Sequence, residues 1–169
     1  MQENKTLDII KGAILLEYRG KALYESVAQT TKVDAVKELF EFLVKEEETH
    51  IDILKKQFTH VHKKEGFDIE YPDKADLHAQ TSSKVLSDKI VEGISGAGYE
   101  AAVISAALEF EKNAVKYYSD HSAQAGSEEE KKLYDWLAEW EKGHMTMLAE
   151  LDNGIKEQIW YDNQFWPLD

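Results

Sequence analysis

Six residues of this sequence have the types and spacing to do chemistry together. Glu47 and His50 lie three positions apart, as do Glu141 and His144. On a helix that spacing puts a carboxylate and an imidazole on one face. Glu17 and Glu111 each stand alone in an apolar surrounding. Carboxylate oxygen and imidazole nitrogen are the ligand atoms of iron, with manganese or zinc as possible substitutes. A Glu-x-x-His pair by itself is a weak signal on an acidic helix. The weight rests on how these pairs are set in the chain.

They are set twice. Glu17 and Glu111 are 94 positions apart, and so are Tyr24 and Tyr118, Glu47 and Glu141, and His50 and His144. The apolar pairs Ile10/Ile104, Ala13/Ala107, Leu39/Leu133, Leu43/Leu137 and Leu54/Leu148 keep the same offset without a gap. Two copies of one pattern imply two halves about an approximate two-fold axis, each giving the centre the same residues.

The elements that would position them are helices. Ala, Leu, Lys and Glu dominate, and prolines stand only at 72 and 167, so an all-α chain is expected. Helical periodicity covers about 6–29, 33–60, 99–123 and 128–158. Val36, Phe40, Leu43, Glu47, His50 and Leu54 step by four and three, the core stripe of a bundle helix. Tyr134, Leu137, Glu141, His144, Leu148 and Leu151 repeat it. The stripes Ile10, Ala13, Glu17, Gly20, Tyr24 and Ile104, Ala107, Glu111, Ala114, Tyr118 each hold one carboxylate. Thr31 with Asp34 could cap the second helix, and Ser127 with Glu130 forms a capping-box pattern for the fourth.

Short loops make each pair of helices an antiparallel hairpin. The segment 61–98, with Tyr71-Pro72, a weakly helical piece at 83–90 and glycines from Gly93 to Gly98, is long enough to cross the bundle end to end. Two hairpins and one long crossover between helices two and three make a ferritin-like antiparallel four-helix bundle, a single domain over 1–169. The tail 159–169 is aromatic, with Trp160, Tyr161, Phe165 and Trp166. It would pack on the bundle, support a homodimer or act as a lid.

Four carboxylates in an apolar core are costly unless neutralised. No lysine or arginine falls on the four stripes. Two divalent cations would balance four carboxylates. Gly20 and Ala114, one turn past the single glutamates, would leave room for metal, water or an oxygen species. Tyr24 and Tyr118 are either plain core aromatics or donors that orient the ligand carboxylates. Glu46 could accept from a ring nitrogen of His144 or be solvated; its offset partner is Trp140. His60, His62, His78 and His121 are expected at the surface.

The net charge of −13 argues against nucleic acid and against an anionic membrane surface as partners. With no cysteine, disulfides, iron–sulfur clusters, thiolate zinc and a rubredoxin-type centre are excluded within these residues. The N-terminal apolar run 9–16 contains Lys11 and is too short for a membrane span, so a cytoplasmic protein is expected.

Glu17 with Tyr24, Glu47-x-x-His50, Glu111 with Tyr118 and Glu141-x-x-His144 together resemble the rubrerythrin branch of the ferritin-like superfamily. The resemblance covers the four helices. It implies two iron ions, with Glu17 and Glu111 each binding one, Glu47 and Glu141 bridging them, and His50 and His144 each capping one. It also implies an oxidoreductase that reduces peroxide or dioxygen, or oxidises ferrous ion, in the setting of oxidative stress. Peroxidase-type relatives carry a further glutamate where Ala114 stands, and others carry a rubredoxin domain, so this chain would draw electrons from an external donor. The alternatives are non-catalytic iron binding or sequestration, a purely structural metal, and, more distantly, a two-metal hydrolase.

Overall fold

A computed structural model describes residues 2–68, 71, 90, 91, 94 and 98–162. Its helices are α1 (Gln2–Thr30), α2 (Asp34–His62), α3 (Tyr99–Ser122) and α4 (Glu128–Asp162), and the described residues include no strand. The expected helices are all present, with shifted ends. The helix α2 takes in Val61 and His62 from the expected crossover, and α4 takes in residues 159–162 of the expected tail. Nothing at those positions breaks a helix, since the next prolines are Pro72 after His62 and Pro167 after residue 162. The rest of the tail, His78, and the crossover apart from 61–68, Tyr71, Ile90, Val91, Ile94 and Gly98 lie outside the described residues.

The α1–α2 and α3–α4 hairpins are the closest-packed pairs, and α1 also packs against α3. Half of the capping box forms at the start of α4: the Glu130 N–H donates to Ser127 Oγ at 3.1 Å, while Glu130 Oε2 accepts at 2.7 Å from the N–H of Gly126, one residue before the cap. Thr31 does not cap α2. Its hydroxyl accepts from the Val33 N–H at 3.2 Å and donates to Glu100 of α3 at 3.0 Å, while Val33 takes the N-cap position without a side-chain bond. The hydroxyl thus ties the α1–α2 loop to the other hairpin.

The core is two apolar clusters with a polar layer between them. One contains Tyr24, Leu39, Phe40, Leu43, Ile104, Ala107 and Leu148, closed by Ile90 and Ile94 from the crossover. The other contains Ile10, Ala13, Leu54, Tyr118, Leu133 and Leu137. Every apolar pair of the repeat is split between the clusters. The offset of 94 therefore carries one end of the bundle onto the other, as a two-fold axis perpendicular to the helices would. Ile14 and Phe58, at the edge of the second cluster, are only partly buried. No helix among the described residues is long and apolar enough to cross a membrane.

Candidate metal centre

The layer between the clusters holds the six residues. Because α2 and α4 each carry Glu and His three positions apart on the inward stripe, both side chains of each pair point to the axis. The helices α1 and α3 add Glu17 and Glu111 from opposite sides. None of the six is more than 3% exposed. Their potential ligand atoms fall into two groups, Glu17, Glu47, His50 and Glu141, and Glu47, Glu111, Glu141 and His144, with the atoms of each group within 4.8 Å of one another. A shift of 94 exchanges the two groups, Glu17 with Glu111, His50 with His144 and Glu47 with Glu141, so Glu47 and Glu141 belong to both.

Both imidazoles turn Nδ1 toward the carboxylates. His50 Nδ1 lies 3.2 Å from Glu17 Oε2 and 3.8 Å from Glu47 Oε2. It is also 3.0 Å from Glu141 Oε1, though without the alignment of a hydrogen bond. His144 Nδ1 lies 3.0 Å from Glu141 Oε2 and 3.6 Å from Glu111 Oε1. The two rings stand 5.9 Å apart. Tyr24 donates its hydroxyl proton to Glu111, and Tyr118 donates to Glu17. Each tyrosine holds the single carboxylate of the other half, so both are donors to the site and not merely core aromatics.

The electrostatics show a cluster short of positive charge. Burial, and then the charges of Glu17 and Glu141, push Glu47 well above the usual carboxylate range. Burial and Glu141 push Glu111 up to about 8. Burial alone would lower both imidazoles. The glutamates outweigh it, Glu141 foremost at His50 and Glu111 foremost at His144, and raise both well above the usual range. Those imidazoles in turn overcome the effect of burial on Glu141 and hold it low. Burial and the facing carboxylates raise the phenols of Tyr24 and Tyr118. Protons here occupy places that suit cations.

Hydrogen bonding carries the same message. Six buried atoms of the cluster have no hydrogen-bond partner: both oxygens of Glu47, Glu111 Oε2, Glu141 Oε1, and Nε2 of His50 and His144. An unpaired buried polar atom costs about 1–3 kcal/mol. Four oxygens left open at one point, with two imidazoles beside them, fit a donor set for divalent ions of the iron, manganese and zinc type. The residues present therefore fit a metal pair.

The other expectations divide. Ala114 is buried as expected. The space at Gly20 is taken, since a Cβ there would meet Phe110 at 2.7 Å and the Glu47 carboxyl carbon at 3.4 Å. Gly20 admits a neighbouring ring rather than a small ligand. His62 is exposed; His60 and His121 are partly buried, the latter against Tyr117 at 4.4 Å. None of the three joins a metal-type cluster among the described residues. Glu46 is buried, not solvated, and accepts from Trp140 Nε1 at 2.8 Å. Nothing in the sequence places Trp140 and Trp136 beside His50. Their only signal was the mismatch of Glu46 with Trp140 at the offset.

No curated protein and no solved structure matches the chain. The rubrerythrin family model does match, over residues 8–152, a span that includes all six residues of the cluster with Tyr24 and Tyr118; the chain belongs to the rubrerythrin family.

Proposed function

We propose that the cluster binds two iron ions, Glu17, Glu111, His50 and His144 each serving one and Glu47 and Glu141 shared by both. On this reading the protein is an oxidoreductase that reduces peroxide or dioxygen, or oxidises ferrous ion. The observation that carries it is the pair of four-residue groups exchanged by the repeat, fully buried and with Glu47 and Glu141 common to both. A bound iron pair supplies two electrons to one oxidant. The chain's own part is positioning. Tyr24 and Tyr118 fix Glu111 and Glu17 in orientation, and the apolar clusters at either end keep bulk water from the layer. Manganese or zinc would enter the same donors. Electrons would come from an external donor.

A second reading, iron binding without turnover, is favoured by one observation. Ala114, one turn beyond Glu111, is small, apolar and buried, so no further carboxylate is available at that point. One experiment separates the two. Metal-free protein is loaded anaerobically with ferrous ion, the iron is counted per chain, and absorbance is followed after mixing with peroxide or dioxygen. The oxidoreductase reading expects two irons per chain and oxidation faster than that of free ferrous ion. Two irons with no acceleration leave the binding reading, and fewer than two under saturating ferrous ion overturn both.

A further inference from the structure

The repeat would give His50 and His144 identical surroundings, yet at one pair of positions it fails. Glu46 and Trp140 are 94 apart and meet across the axis, with Trp140 Nε1 donating to Glu46 Oε2 at 2.8 Å. Both side chains are buried. A symmetric version would not work here. Two glutamates would be two acceptors with like charge, and two tryptophans would be two donors with no acceptor. The hydrogen bond exists only because the halves differ.

The difference reaches the imidazoles. Behind His144, Glu46 Oε2 lies 3.7 Å from Nε2. That is beyond hydrogen-bond length but close enough for a charge to act in a buried setting. Nε2 of His50 has no hydrogen-bond partner, and indoles pack on that ring, Trp140 at 5.3 Å and 88° and Trp136 at 5.9 Å and 83° between rings. An indole N–H offers no acceptor, and that of Trp140 is committed to Glu46. A carboxylate on the far side of a ligating imidazole makes the ring a stronger donor, and such partners change metal affinity roughly 10–100-fold.

We infer that Glu46, held in place by Trp140, makes the two ion positions unequal, so that the position bounded by Glu47, Glu111, Glu141 and His144 fills before the one bounded by Glu17, Glu47, His50 and Glu141. The inference rests on the two-ion reading above. Glu46 acts through His144 and is a positioning residue.

The test is anaerobic titration of the metal-free full chain with cobalt(II), followed by calorimetry and visible absorption. Repulsion between two cations splits the steps even in a symmetric site, so the variants decide. His144→Ala should remove the tight step and His50→Ala the weak one. Glu46→Gln keeps an acceptor for the Trp140 N–H but loses the charge. It should narrow the gap between the two steps by about tenfold or more and shift the cobalt absorption of the first. Trp140→Phe should act in the same direction. Equal losses in the two histidine variants, or an unchanged gap in a folded Glu46→Gln protein, overturn this inference and leave two-ion binding standing. Fewer than two cobalt ions bound by the parent chain removes the two-ion reading and this inference with it. Should Glu46→Gln fail to fold, the histidine pair alone decides.

Discussion

Glu47 is the residue on which the site's demands and the fold's demands conflict most. It is buried, neither of its oxygens has a hydrogen-bond partner, and it faces Glu17 and Glu141. Its carboxyl is raised by burial and by those neighbours, so ionising it works against the folded state. Glu47→Gln removes that charge and brings an amide that can donate to either neighbour. In metal-free protein at pH 8, Glu47→Gln should therefore raise the melting temperature, with a gain of about 1–4 kcal/mol typical of relieving a buried ionic cluster. The same change should abolish tight binding of both ions, because Glu47 belongs to both groups. A residue kept only for structure would lower the melting temperature when replaced, and that result in calorimetry would count against the metal reading.

At the scale of the element, helical phase does most of the positioning, and the helix ends are where local chemistry shows. The helix α2 ends with the Glu65 N–H bonded to the His60 carbonyl at 3.0 Å and the Lys64 N–H to Val61 at 3.0 Å. That closure puts Lys64 in the left-handed region, with φ +64. A side chain there costs about 1–2 kcal/mol, of which glycine recovers part after its own entropic cost. Lys64→Gly should stabilise the protein by about 0.5–1 kcal/mol in denaturant melts, with metal stoichiometry unchanged. A loss of stability would show that Lys64 makes contacts worth more than its backbone strain.

For the whole molecule, the cluster ties stability to pH. The Glu111 carboxyl is raised to about 8 from an ordinary value of 4.5. Between those values the unfolded chain is ionised while the folded chain keeps its proton. The stability from this group is whole below 4.5 and is lost as pH rises through about 8. His50 and His144 are raised too and act with the same sign, losing their contribution as pH climbs through their folded values. Glu141 is lowered and acts oppositely, its contribution disappearing on the acid side. Metal-free protein should thus melt at falling temperatures from about pH 5 to pH 9, by roughly 1.4 kcal/mol per pH unit for each proton involved. Divalent metal should flatten that slope. Adding metal at pH 7 should also release more than one proton per chain, measurable with an indicator dye in weak buffer. Metal uptake without proton release would mean that the six side chains are not the ligands.

The sequence alone was enough to read the four helices, the two halves and the six converging residues. Helical phase is a property of spacing, and the offset of 94 carried Glu17, Glu47 and His50 onto Glu111, Glu141 and His144 with no gap to obscure it. Helix ends were less legible, because the last turns of α2 and α4 continue until something stops them and neither Val61 nor Ile159 does. What only the tertiary structure decided lies between elements distant in the chain. Tyr24 holds Glu111 and Tyr118 holds Glu17, an exchange across the axis that spacing within one helix cannot show. By sequence Glu46 could be solvated or turned toward His144; the bundle buries it, because Trp140 closes over it from the opposite half. Whether a carboxylate is solvated or paired depends on what packs against it, and that is fixed by the bundle rather than by the helix that carries it.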